Sequence, residues 1–314
     1  MTAAASAAAA RRKGAGAGVA GATPGVDAVV AKGWWRAHQW LLARRAVQVA
    51  VLLLFLVGPW FGIWIVKGNL SSSLTLGVLP LTDPYVLAQT LAAGHWPLRA
   101  AWIGAAIVLV FYLLVGGRTY CSWVCPLNPV TDAAAWLRRR LGLKGGAHVT
   151  RKTRYAWLAA TFVVAAASGT AAWELVNPVS LWQRGLIFGL GAGWAVMAAI
   201  FLFDVFVMNR GWCGRLCPMG AFYSLPARWS PVRVVAARRD RCNDCLDCMA
   251  VCPEPVVIRP ALKGLGGAGP VITSPNCTNC GRCIDVCAVD VFSFGTRWHG
   301  HAPLPVAPVA AAAE

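Results

Sequence analysis

Twelve cysteines constrain this 314-residue chain more than any other feature, because all of them fall into short spaced groups and none precedes residue 120. Eight form two copies of C-x2-C-x2-C-x3-C: Cys242, Cys245, Cys248 and Cys252, then Cys277, Cys280, Cys283 and Cys287. The other four form two C-x3-C-P pairs, Cys121 with Cys125 and Cys213 with Cys217. A secreted disulfide framework has neither repeated tight spacings nor the long apolar stretches of this chain. A reducing compartment is expected for these thiols.

The eight-cysteine repeat has a specific chemistry. A C-x2-C-x2-C loop wraps three thiolates around three irons of a cubane, and the fourth thiolate comes from the other copy. The spacing therefore predicts two [4Fe–4S] clusters. One takes Cys242, Cys245, Cys248 and Cys287, the other Cys277, Cys280, Cys283 and Cys252. Four-cysteine Zn sites exist, but they do not explain two triplet loops that are each followed by a fourth cysteine. Electron transfer is the expected activity. For the C-x3-C-P pairs three readings stand side by side: an additional redox or metal site built from all four thiols, thiol/disulfide cycling, or packing. Their duplicated placement makes packing the weakest.

Composition decides the setting. The chain is 58% hydrophobic and 13% charged, against about 25% charged in soluble domains. Its net charge of +17 reads as basic loops on one membrane face. The 16 tryptophans suit interfacial belts better than a nucleic-acid groove, so no nucleic-acid partner is expected. Four apolar stretches, 46–66, 100–116, 156–175 and 186–207, run near the ~20 residues that a helix needs to cross ~30 Å of hydrocarbon. Lys and Arg crowd the segments before the first, between the second and third, and after the fourth. The positive-inside rule then places both termini and all cysteines in the cytoplasm of a multi-pass inner-membrane protein, with lipid as its surroundings.

The expected architecture is mainly α. A four-transmembrane-helix bundle, built as a tandem helix-pair repeat, precedes a C-terminal α+β two-cluster bacterial ferredoxin-like module. Residues 1–40 read as a disordered basic cytoplasmic arm, 41–228 as the membrane domain, 229–298 as the ferredoxin-type domain and 299–314 as a disordered tail. In the outer loop, Thr82-Asp83-Pro84 followed by Gly94 predicts a short helix over 85–93, lying amphipathically on the periplasmic surface. The Lys263–Gly269 run reads as a flexible linker, and His38, His148, His299 and His301 as solvated.

With these motifs in place, the chain resembles the NapH family, the membrane ferredoxin-type quinol dehydrogenase subunits of periplasmic nitrate reductase systems. The resemblance rests on the four spans, the C-x3-C-P pairs and the two-cluster module. It also rests on the outer-loop stretches 67–77 and 80–84, on Asn177-Pro-Val-Ser180, and on Asp290-Val-Phe292, and it covers about residues 40–300. Ala288 departs from the usual proline without removing a ligand. The resemblance implies oxidation of menaquinol or ubiquinol as substrate. Electrons would pass with a NapG-like periplasmic ferredoxin towards nitrate reductase. Quinol oxidation also releases protons, for which Asp83, His95, Glu174 and Asp204 are candidate acceptors. Each has a plainer reading: a helix cap for Asp83, a surface residue for His95, span ends for Glu174 and Asp204. A cytoplasmic cluster domain and a periplasmic acceptor lie about 30 Å apart, so either the clusters feed another branch or a quinone carries the electrons across. The alternative function is that of an accessory maturation polyferredoxin, supplying electrons to assemble or maintain a periplasmic redox enzyme.

Overall fold

The computed structural model describes residues 23–143, 145–189 and 191–299. The first 22 residues of the expected arm and the tail beyond residue 299, with His301, lie outside the described residues. The chain divides into two compact units. One comprises Met1–His38, Pro231–Cys277 and Gly281–Glu314, and the other comprises Gln39–Ser230 with Thr278–Cys280.

In the first unit the expected arm is partly a folded element. Helix α1 (Val26–Lys32) buries Ala28 completely. Its last residue reaches the cysteine-rich segment, where Lys32 Nζ donates to the carbonyls of Ile284 (2.7 Å) and Cys287 (3.1 Å). Gly25 N donates to Asp247 at 3.0 Å. An Ala/Gly-rich segment offers too little apolar surface to signal this, so the expected disorder of residues 26–40 is corrected by polar anchoring rather than by hydrophobic pattern. Helix α2 (Trp34–Phe61) starts only two residues later.

The rest of this unit is the expected small α+β module. Strand β4 (Val232–Val235) pairs antiparallel with β5 (Ser293–Thr296), so the ends of the module close on each other. Between them lie α12 (Asp247–Val251), α13 (Ile258–Lys263) and α14 (Arg282–Asp285). The run expected to be a flexible linker is ordered. Gly264 ends α13 in the left-handed conformation (φ 64°), and a short 3-10 turn follows over Leu265–Gly267.

The second unit holds α2 from Gln39 onward and then a three-stranded antiparallel sheet, order β1-β2-β3 (Val66–Gly68, Ser72–Thr75, Leu79–Thr82). Helices α3 (Pro84–Ala92), α4 (Arg99–Val115), α5 (Thr119–Trp123), α6 (Leu127–Arg140) and α7 (Thr153–Ser168) follow. The series continues with α8 (Ala172–Val176), α9 (Pro178–Phe188), α10 (Ala192–Leu202) and α11 (Pro218–Ser224). Two single π turns, Phe203–Val207 and Trp212–Leu216, separate α10 from α11.

Three expectations change here. One described helix, Trp34–Phe61, is long and apolar enough by itself to cross a membrane; Arg99–Val115 is apolar but shorter. The third apolar stretch stops at Ser168 because Gly169 takes φ 65° and caps the helix, a common C-terminal device. The fourth is divided because α9 ends at Gly189 (φ 100°) and α10 begins only after Gly191. Gly193 then lets the two helices touch: a Cβ there would lie 2.3 Å from Leu181 O.

The outer-loop helix forms where the cap predicts. Asp83 is its N-cap, Pro84 its first residue, and Asp83 Oδ1 accepts from Tyr85 N at 2.9 Å. It does not lie on a surface, however. Tyr85 and Gln89 are fully buried. The core of this unit joins Tyr85 to Tyr112, Tyr120, Trp173, Met197 and Tyr223. The sequence concealed this because β1–β3 fold the loop back on itself, which burial of its backbone inside protein permits.

Candidate functional site

The two cysteine loops share a backbone design. In the first, Asp244 and Leu246 take left-handed conformations (φ 57° and 63°), and in the second Asn279 and Gly281 do so (φ 47° and 69°). The positions correspond one to one. Only glycine adopts such angles without cost, so Leu246 carries strain that the loop must hold. Each triplet then runs into one turn of helix, α12 or α14, and these helices pack together.

Cys242, Cys245, Cys248 and Cys287 line one pocket. Burial pushes the Cys248 thiol up to about 12, and Cys245, Cys287 and Cys242 add to the shift. Burial and the neighbouring thiols make bare anions unfavourable here, and such a set is suited to a cationic iron–sulfur group. Backbone amides point at the sulfurs: Val291 N donates to Cys287 Sγ at 3.3 Å and Glu254 N to Cys252 Sγ at 3.4 Å. Such donors stabilise thiolate ligands and tune cluster potential. In the other predicted set, Cys280 and Cys283 are buried, and Cys252 and Cys277 are partly exposed.

In the second unit the two C-x3-C-P pairs come together. Cys121, Cys125, Cys213 and Cys217 line one pocket, closed by Tyr120, Trp173 and Trp212 among others. All four are free thiols. Burial raises Cys125 and Cys213 well above the ordinary thiol range, and Cys217 to about 11. Among the described residues, no three His, Cys, Asp or Glu side chains meet closely enough to hold a single metal ion. The second pair owes its position to Asp204, which is fully buried and accepts from Trp212 N at 3.0 Å, tying one π turn to the other.

The segment carrying the first pair makes a further set of contacts within this unit. Ser122 Oγ donates to Thr278 O (2.7 Å), Trp123 Nε1 to Asn279 O (3.0 Å), and Arg44 to Cys280 O. Sequence reading missed Ser122, Trp123 and Arg44. A serine and a tryptophan between two spaced cysteines give no signal of what they bind.

An apolar cavity of about 370 Å3 adjoins this pocket, and Tyr120 lines both. Phe55, Val66, Val108 and Phe111 supply much of its wall, and Asp83, Tyr112, Tyr120 and Tyr223 supply polar groups. Its size falls within the roughly 300–1,000 Å3 of small-molecule sites. Tyr223 OH donates to Asp83 Oδ1 at 3.0 Å. Burial, the dominant influence, raises the Asp83 carboxyl from 3.8 to about 7.

The other candidate acceptors lie away from this cavity, and Asp204 keeps one buried oxygen, Oδ2, without a hydrogen bond. Glu174 accepts from Ser71 and Ser180 at 2.8 Å each and from Asn177 at 2.8 Å. His95 is exposed, with Nε2 bonded to Gly169 O at 2.8 Å. Asp204 serves the π turn. Of the four, Asp83 alone lines the cavity.

A family described as "4Fe-4S binding domain" matches twice, over residues 98–144 and 190–234, and a "4Fe-4S dicluster domain" matches residues 234–288. The ferredoxin-type protein NapH of Escherichia coli (strain K12) is 50% identical over 275 residues, 87% of this chain and 95% of that protein. The chain belongs to the NapH/MauN family of ferredoxin-type proteins. Its MauN relatives, described as methylamine utilization ferredoxin-type proteins, are equally similar. That of Methylorubrum extorquens is 51% identical (88% of this chain, 96% of that protein), and that of Paracoccus denitrificans 53% (86% and 95%). No solved structure matches the chain. Within the NapH/MauN family, the double match places one C-x3-C-P pair in each copy, in keeping with a tandem repeat.

Proposed function

We propose that this iron–sulfur electron-transfer protein is a membrane quinol dehydrogenase. It takes electrons from menaquinol or ubiquinol and passes them, through two [4Fe–4S] clusters and a NapG-like ferredoxin partner, towards a periplasmic nitrate reductase. The observation that carries the quinol step is the apolar cavity sharing Tyr120 with the four-thiol pocket. An apolar chamber for an isoprenoid substrate beside a cage of sulfur ligands is what quinol oxidation by an iron–sulfur protein needs. The four C-x3-C-P thiols are proposed to hold an additional iron–sulfur-type redox group, for which their number and their shared pocket are suited.

The membrane setting belongs to the same proposal: four spans, both termini and every cysteine on the cytoplasmic side. Large apolar side chains exposed along α2 (Leu53 48%), α4 (Ile103 56%) and α7 (Val163 68%) support it, because soluble monomers seldom expose such contiguous surface.

Similarity to MauN at 51–53% identity favours a second reading of the destination. On that reading the same electron-transfer core serves a methylamine-utilization system. Reduced-minus-oxidised spectra of the purified protein with a quinol analogue test the shared donor step. Bleaching of the iron–sulfur absorption is expected. No bleaching while dithionite still reduces the protein sinks the dehydrogenase reading and returns the chain to the maturation-factor alternative.

A further inference from the structure

We propose that the cavity between β3, α4, α5 and α11 binds the quinol headgroup, and that Asp83, held by Tyr223, is the base that takes the quinol hydroxyl proton; this rests on the quinol reading above.

Asp83 is 4% exposed and lines the cavity. Both hydrogen bonds to its carboxylate, from Tyr85 N and Tyr223 OH, fall on Oδ1. Among the described residues Oδ2 accepts none. The hydroxyls of Tyr112 and Tyr120, on the same cavity, likewise make no hydrogen bond among the described residues. Three polar groups without protein hydrogen bonds around one apolar space point to a ligand that brings donors and acceptors. A quinol does so, with two hydroxyls on an apolar ring and a long apolar tail.

Oxidation to the quinone breaks two O–H bonds and releases two electrons. The first proton passes to Asp83 Oδ2, giving the neutral acid. After that proton leaves to solvent, the same oxygen takes the second. The electrons go one at a time to iron–sulfur acceptors, the one-electron oxidants for which the cysteine motifs are built. Oδ1 is fixed by the cap and by Tyr223, so the carboxylate cannot rotate away as its charge changes. The groups facing Asp83 are Tyr85, Tyr223, Tyr112, Tyr120 and, more distantly, Glu174. None is a cation that would hold the carboxyl ionised.

The test uses full-length protein in lipid nanodiscs, with menadiol and decylubiquinol as donors and the rate of iron–sulfur bleaching as the readout. Positioned proton transfer contributes about 100-fold or more. Asp83→Asn, which retains an N-cap acceptor, is expected to slow bleaching at least about 100-fold. Its iron content and dithionite-reducible signal should stay at the wild-type level. Asp83→Glu is expected to recover part of the rate. Tyr223→Phe leaves the cap intact and is expected to shift the midpoint of the pH–rate profile. Wild-type rates should rise with pH through the Asp83 titration, and this inflection should vanish in Asp83→Asn. Wild-type bleaching with an Asp83→Asn rate within twofold of it overturns the assignment of the base and leaves the quinol reading standing. No bleaching of the wild type by either donor overturns both. Should Asp83→Asn fail to fold, an unchanged pH profile in Tyr223→Phe overturns the assignment instead.

Discussion

Tyr120 lies flat on Tyr223, with ring centroids 5.3 Å apart and planes 19° from parallel. The residue before the first C-x3-C-P cysteine thus stacks on a residue of the helix that follows the second. Tyr112 meets both rings edge-on, at 5.9 and 5.1 Å. This trio joins the two copies of the repeat at the place where the thiol pocket and the apolar cavity share a wall.

That stack depends on a glycine. A Cβ on Gly117, in the turn between α4 and α5, would lie 2.1 Å from Tyr223 O and 2.7 Å from Ala227 N. Both are backbone atoms with no rotamer to yield. Forcing extra atoms into such a contact costs typically about 1–3 kcal/mol. Gly117→Ala is therefore expected to lower thermal stability in detergent and to slow quinol-driven reduction by displacing Tyr223. A melting temperature equal to that of the wild type would show that the approach is looser than described.

The four-thiol pocket predicts an iron count. The two proposed ferredoxin-type clusters would account for about eight irons per chain. Further iron should be present in the intact protein and should disappear in Cys213→Ser, with the spectra of the two ferredoxin-type clusters unchanged. A count of eight in both proteins would return these thiols to disulfide chemistry or packing.

The cluster motifs, the helix cap at Asp83 and the repeat were legible in the sequence because each is local. Ligand spacing, a cap followed by proline, and a recurring C-x3-C-P need no knowledge of distant contacts. What could not be read is what the folded-back 66–93 segment creates. Asp83 reads in the sequence as a cap first and as one of four candidate acceptors. What sets it apart from the other three appears only when β1–β3 carry it to Tyr223, 140 residues later. The helix ends inside the apolar stretches were hidden for a different reason. Hydropathy averages over Gly169 and over the Gly189–Gly191 pair, whereas the backbone responds to each glycine singly.

Asp83 also makes stability depend on pH. Burial raises its carboxyl from the ordinary 3.8 to about 7 in the folded chain, so the folded chain binds the proton more tightly. The resulting stabilisation is complete below the unfolded value and is lost as pH rises through the folded one. Wild-type protein in detergent should unfold more easily at pH 8 than at pH 5. Asp83→Asn should show a smaller difference, because an amide does not titrate. Equal pH dependence in the two proteins would place the titration elsewhere.

Lys32 should set the behaviour of one cluster. Its ammonium is nearly buried, 6% exposed, and it donates to the carbonyls of Ile284 and Cys287 and pairs with Asp290 at 3.4 Å. Cys287 is the residue predicted to complete the set with Cys242, Cys245 and Cys248. A positive charge beside a cluster favours its reduced, more negative state, so Lys32 raises that potential. Lys32→Met keeps the apolar stem and removes the charge. It should shift one cluster to a more negative midpoint in an EPR-monitored redox titration and leave the other unmoved. It should also destabilise the module, because hydrogen bonds to a charged donor contribute roughly 1.5–3 kcal/mol. Equal shifts in both clusters would mean that the charge acts through the field of the whole module rather than through Cys287.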